Sequence, residues 1–187
     1  MPVLLLGACA QRDPAVTISG ATTVGNWLIE RQANRVTGAA ISSARVATRS
    51  SSNSAVVFAQ LAGLQLTCFK RQPIVRFTFL FKVGANRNTE LSYRFDGKPG
   101  HQADARILRD NKIVVIEDRA AVAQFVNDLA TSQVLYVFIR SLNGPRSSAE
   151  FQVGGAPAAI EAGLADCPLT GQPRPRAASM PSSRPPA

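Results

Sequence analysis

The chain has 187 residues, a length suited to one compact domain on a prior of about 100–200 residues per domain. Apolar residues make up 45% and charged residues 18%, which excludes a wholly disordered polymer, and no apolar run is long enough to cross a bilayer as a helix. Lysine and arginine number 21 against 12 acidic residues, a net +9 that favours an anionic partner, while three cysteines and one histidine leave little for metal or thiol chemistry.

The first residues, Met1-Pro2-Val3-Leu4-Leu5-Leu6-Gly7-Ala8-Cys9, form an apolar stretch that ends in small residues before a cysteine. Leu6, Gly7, Ala8 and Cys9 match a bacterial lipobox one for one, and the stretch resembles such a signal. The resemblance implies a lipoprotein-type signal segment over residues 1–8 and lipidation of Cys9. No Lys or Arg precedes Cys9, so the segment reads as truncated, with a start codon expected upstream; the alternative is a short N-terminal extension in which Cys9 is incidental. With Cys9 as anchor, Cys68 and Cys167 remain as an even pair in an exported chain and are expected to form a disulfide. A closed loop of about 100 residues corresponds to about 4.7 kcal/mol of chain entropy before strain. The alternative is two buried thiols in a reducing cytosol. Neither has a second Cys or His at ligand spacing, so no metal is expected.

Residues 9–23 are small, polar and β-branched and read as a flexible tether; residues 24–169 form a β-rich domain, and residues 170–187 are a disordered tail rich in Pro, Arg and Ser. Short strands are predicted at 27–31, 40–48, 55–60 and 64–68. From Pro73 to Val83, Val75, Phe77, Phe79, Phe81 and Val83 alternate with Arg76, Thr78 and Lys82, as in a half-buried antiparallel strand. After a turn at 84–88, Leu91, Tyr93 and Phe95 alternate with Ser92, Arg94 and Asp96, and the two strands are predicted to pair as a hairpin. A second hairpin joins 105–108 to 113–116 across Asp110-Asn111. Asp118 caps a helix through Leu129, with Val122, Phe125, Val126 and Leu129 on one stripe. The continuous apolar run Val134–Ile139 suits a central strand covered on both faces. Asn143-Gly144-Pro145 turns into a strand with Ala149, Phe151 and Val153 inward. A last helix starting at Pro157 brings Ile160 and Leu164 toward Cys167. The fold class is mainly β: an antiparallel sheet or sandwich with two short helices, the last fastened by the disulfide to the strand ending at Cys68.

No catalytic residue is assigned. His101 is the only imidazole; it lies in the turn-rich Lys98-Pro99-Gly100-His101 without a nucleophile motif and reads as an exposed loop residue rather than a general base. The acids Asp96, Asp104, Asp110, Glu117 and Asp118 sit at turns and strand ends, in solvated or capping roles. Gly154-Gly155 precedes a helix, but the phosphate-loop and dinucleotide fingerprints are absent, so no cofactor is expected. In Tyr93-Arg94-Phe95-Asp96 the aromatics share a face with Leu91 and read as core, with Arg94 and Asp96 outside as a local ion pair; a nucleic-acid stacking role is the weaker reading. Lys70, Arg71, Arg76 and Lys82 surround one strand and are the candidate site for an anionic partner, whether lipid headgroups, lipopolysaccharide phosphates or another envelope polymer. The competing reading is an ordinary solvated strand face.

Taken in order, Gly25-Asn26-Trp27, Leu64, Leu66 and Cys68, then Tyr93-Arg94-Phe95-Asp96 with Pro99, form the first part of a sparse pattern. It continues with Phe125 and Leu129, Leu135 and Val137, Phe151, Val153 and Gly155, and closes on Ile160 and Cys167. This order, over roughly Gly25 to Cys167, resembles a family of small bacterial periplasmic proteins associated with type VI secretion and, more loosely, the invasion-associated locus B family. The resemblance implies an exported, disulfide-containing, non-catalytic accessory protein. The chain departs from the first family at Arg49-Ser50-Ser51-Ser52-Asn53-Ser54, where acidic residues are usual, which shifts the inheritance toward envelope placement in general. The expectation is a non-enzymatic periplasmic lipoprotein, anchored to the membrane by Cys9, whose domain binds a secretion-system or envelope partner. The alternative is a soluble periplasmic accessory to virulence or stress resistance; an envelope hydrolase and a nucleic-acid-binding module are the readings from other classes.

Overall fold

A computed structural model describes residues 16–84, 89–108, 110–142, 144–167 and 169. The signal-like segment with Cys9, the turn at 85–88, Asn143 and the tail from residue 170 lie outside the described residues. The described strands are β1 (Val16–Val24), β2 (Trp27–Asn34), β3 (Ala40–Asn53), β4 (Val56–Phe69), β5 (Gln72–Phe79), β6 (Thr89–Phe95), β7 (His101–Ala103), β8 (Arg106–Leu108), β9 (Ile113–Ile116), β10 (Val134–Ser141) and β11 (Arg146–Gln152). They form one antiparallel sheet with the order β7-β6-β10-β11-β3-β4-β5-β9-β8, and β2 joins β1 to β3 beside that path. The mainly β class with two helices is therefore as expected, as a single curled sheet.

β3 explains how the sheet branches. It is 14 residues long, and β4 follows one of its edges. The other edge is shared head to tail by β11, opposite 51–53, and β2, opposite 40–45. Where the two sharing strands meet, the Asn26 N–H donates to the Gly154 carbonyl at 3.1 Å and the fully buried Trp27 donates through Nε1 to the Val153 carbonyl at 3.0 Å. Gly25 makes this junction with φ +56°, and a Cβ there would collide with the Gly154 carbonyl, so the position needs glycine twice over.

The curl follows from chain length. β7 and β8 lie at opposite ends of the strand order, yet only Asp104 and Ala105 join them. At 3.3–3.6 Å per residue, Ala103 and Arg106 are within about 11 Å of one another, so the two sheet edges approach and one face becomes the inside of a trough. Helix α1 (Arg119–Leu129) fills it. Asp118 caps the helix through its side chain, which accepts from the Ala121 N–H at 2.9 Å, and Val122, Phe125, Val126 and Leu129 are buried. Phe125 reaches across the hollow: its ring lies 6.0 Å from Phe77 of β5, and 5.0 and 5.1 Å from Tyr93 and Phe95 of β6. Such pairs contribute about 0.5–1.5 kcal/mol each beyond their area. Helix α2 (Ala156–Gly163) lies on the same face against β2, β3 and β4 through Ala156, Ala159 and Gly163. A Cβ on Gly163 would come within 3.0 Å of the Leu66 carbonyl. Beyond the helix, Cys167 is joined to Cys68 at the end of β4, with the Cα atoms 5.9 Å apart.

Four predicted details differ. The tether expected over 9–23 is strand β1 from Val16 onward; its β-branched residues extend it, but its largely exposed surface leaves no apolar alternation to read. The strands expected at 55–60 and 64–68 are one, β4, continuous through Leu61-Ala62-Gly63. The hairpin expected between β5 and β6 is not made. β5 pairs with β4 and β9 and β6 with β7 and β10, because the chain after Phe79 turns away, burying Phe81 and Val83 and bonding the Val83 N–H to the Asn111 carbonyl. Finally, β10 is central as expected but covered on one face only.

Candidate functional site

Along β10 successive side chains face opposite sides of the sheet. Leu135, Val137 and Ile139 are buried in the trough, which places Tyr136, Phe138 and Arg140 on the outer surface. Both helices lie on the inner side, so nothing covers this face among the described residues: Tyr136 is 42% exposed and Phe138 half-buried. Strand register supplies the neighbours. On β6, Arg94 faces Tyr136, Ser92 faces Phe138 and Glu90 faces Arg140; on β11 the corresponding residues are Glu150, Ser148 and Arg146. Opposed residues of this kind have Cβ atoms about 4.5–5.5 Å apart, so the Tyr136 ring stands between a guanidinium and a carboxylate. Tyr136, Phe138, Arg94 and Ser92, with Gln102 of β7 beside Ser92 and His101 at the rim, line a groove of about 750 Å³, within the range of small-molecule sites; Glu90, Arg140, Arg146, Ser148 and Glu150 lie beside it on the same face.

Two devices hold the groove in shape. The Asp96 carboxylate, just past β6, accepts from the Gln133 N–H at 2.9 Å and the Val134 N–H at 2.7 Å, which fixes where β10 starts and so which residue faces Arg94. These backbone donors, Gln133 first, hold the Asp96 carboxyl below the usual carboxylate range. The ion pair expected between Asp96 and Arg94 is replaced by this arrangement. On the far side, the hydroxyls of Ser148 and Ser52 bond at 2.8 Å and tie β11 to β3.

His101 opens β7 instead of lying in a loop. Its ring packs 5.4 Å from that of Tyr93, its register partner, and its Nε2 lies 3.3 Å from Oδ2 of Asp128 on α1. Lys98 Nζ donates to the Asp128 carbonyl and to Thr131 Oγ1, both at 2.7 Å. Burial, and then the negative charge of Asp128, push the Tyr93 phenol up to about 12. A covalent reaction needs a nucleophile, and among the described residues the polar partner of His101 is Asp128 alone, with no serine, threonine or thiol bonded to it.

The basic residues singled out in the sequence do not converge. Lys70 and Arg71 are the two-residue turn between β4 and β5, exposed and with φ of +50° and +64°, and Lys70 Nζ lies 5.5 Å over the Phe69 ring. Arg76 is half-buried midway along β5, and Lys82 is exposed beyond its other end, where its carbonyl accepts from Asn53 Nδ2 at 3.1 Å. The length of β5, about 25 Å at 3.2–3.4 Å per residue, separates the turn from Lys82. The groove lies on other strands, β6, β7 and β10, with none of which β5 pairs. Sequence reasoning missed Tyr136 and Phe138 because a continuous apolar run reads as doubly buried. The signal that could have exposed them is Arg140, two residues on in the same phase, which shows that this side of the strand meets water.

No family model, curated protein or solved structure matches the chain. Among the described residues there is no cluster of three or more His, Cys, Asp or Glu placed to hold a metal ion, and no helix long and apolar enough to cross a membrane.

Proposed function

We propose that the protein is an exported, non-enzymatic binding module of the bacterial envelope, lipid-anchored at Cys9, that presents its domain to a secretion-system or other envelope partner. The observation that carries this reading is the Cys68–Cys167 disulfide. Disulfides form and persist in oxidising compartments such as the periplasm, and the bond accounts for two of the three cysteines, leaving Cys9 in the lipobox-like context of Leu6-Gly7-Ala8. The resemblance to the type VI secretion-associated and invasion-associated locus B families supports an accessory role. Binding in place of catalysis is supported by His101, which is engaged with Asp128 and lacks a nucleophile, and by a groove lined with aromatic and polar side chains.

The test is fractionation of cells expressing the full native gene, with labelling by a fatty-acid analogue and thiol counting by mass with and without reductant. The expected result is a labelled membrane protein whose Cys68 and Cys167 become reactive only after reduction, and which Cys9→Ala releases unlabelled into the soluble periplasm. A cytosolic protein with both thiols free overturns the proposal; an unlabelled periplasmic protein removes the anchor and leaves the soluble form.

A further inference from the structure

We propose that the outer groove on β6, β7 and β10 binds an acidic carbohydrate chain. The proposal rests on the envelope reading above only in choosing a glycan as the polymer at hand; the chemistry comes from the groove itself. Tyr136 and Phe138 occupy successive outward positions of one strand, about 7 Å apart at 3.2–3.4 Å per residue, and offer two flat apolar faces to a ligand with repeating rings. In the groove Arg94 donates and Ser92 and Gln102 do either, and beside it on the same face Glu150 and Glu90 accept.

Charge narrows the class further. Among the described residues the guanidinium groups of Arg94, Arg140 and Arg146 have no carboxylate in ion-pair range. Arg140 and Arg146 are directly opposed in the ladder, a like-charge placement that destabilises a bare sheet and that an anion turns into an attraction. A planar carboxylate on the ligand suits the guanidinium fork. A nucleic-acid strand would also stack on the rings, but its phosphates recur at every nucleotide and would face Glu150 beside Tyr136 and Glu90 beside Arg140. A sugar chain carries its charge on some rings and neutral hydroxyls elsewhere, which matches a surface of alternating guanidinium and carboxylate.

The experiment measures binding of the oxidised, full-chain protein to three fluorescently labelled probes: an alginate-derived uronic acid octasaccharide, a cellulose-derived neutral oligosaccharide and an oligothymidylate. The expected result is saturable binding of the uronic acid chain, weaker binding of the neutral one, and a loss of about tenfold or more with Tyr136→Ala or Arg94→Gln, as for an aromatic or arginine anchor. Tyr136→Phe retains binding because the ring face remains, and Arg35→Gln, in the turn between β2 and β3, serves as the charge control. Both test positions face outward, so thermal unfolding of the variants should match that of the parent. No binding of the uronic acid chain, equal binding of the neutral chain, tighter binding of oligothymidylate, or undiminished binding by both groove variants overturns the inference. An exported protein that ignores acidic sugars overturns this inference alone, whereas a cytosolic protein with free thiols that binds oligothymidylate through Tyr136 overturns the envelope reading as well.

Discussion

Asp96 and Tyr93 sit at the two ends of the pH scale and give the domain opposite sensitivities. The Asp96 carboxylate is held ionised by two backbone donors, so its folded value lies below that of the unfolded chain. Its contribution is complete above the unfolded value of about 3.9 and is lost as pH falls through the folded one. Asp96→Asn is therefore expected to lower stability at neutral pH and to converge on the parent in acid when urea unfolding is followed against pH; a gap that stays constant would show that charge is not the cause. Tyr93 works the other way. Its phenol is pushed up to about 12 by burial, while the unfolded chain ionises near 10. The folded state keeps a proton the unfolded state gives up, so stability should fall with rising pH between about 10 and about 12. Tyr93→Phe should flatten that slope. The inward direction of Tyr93 was legible from its phase with Leu91; the role of Asp96 was not, because its partners lie 37 and 38 residues further along the chain.

The same division between local and distant information governs the elements. Helix α1 was readable from Asp118 to Leu129 because a cap and a stripe are local patterns, and so was the β8–β9 hairpin. The β5–β6 pairing failed because alternation specifies which side chains face inward but not which edge a neighbour takes; buried Phe81 and Val83 carry the chain away from its expected partner. β10 shows the limit in another form, since its apolar outward residues could be placed only once both helices were known to lie on the opposite face. Gly25 is the sharpest requirement at this scale. Gly25→Ala should destabilise the domain by about 1–3 kcal/mol, through an unfavourable φ and a forced separation of β2 from β11. Thermal unfolding should show it, together with a shift in emission from Trp27, the single tryptophan, which packs at that junction. An unchanged midpoint would mean that the two strands are not held as closely as described.

For the whole molecule, the disulfide is the main long-range restraint, joining residues 99 apart. Replacing Cys68 and Cys167 together by Ser should cost about 2–5 kcal/mol, read from urea unfolding, and reduction of the parent should reproduce the loss. A loss below that range would place the stability of the fold in the Phe77, Tyr93, Phe95 and Phe125 cluster instead. The parity of the cysteines made this bond legible from the sequence, and the last helix, which carries Cys167 to the end of β4, was legible too, whereas the curl of the sheet was not.

The head-to-tail sharing of β3 has a consequence for the order in which the chain becomes a protein. The edge of β3 near Asn53 waits for Ser147, and the end of β4 waits for Cys167, so the N-terminal third cannot complete its bonding until nearly the last described residue has been delivered. Such distant pairings are slow to form. A chain threaded unfolded through a membrane would for that reason reach the far side with its sheet still open, and acquire its shape only after its passage is over.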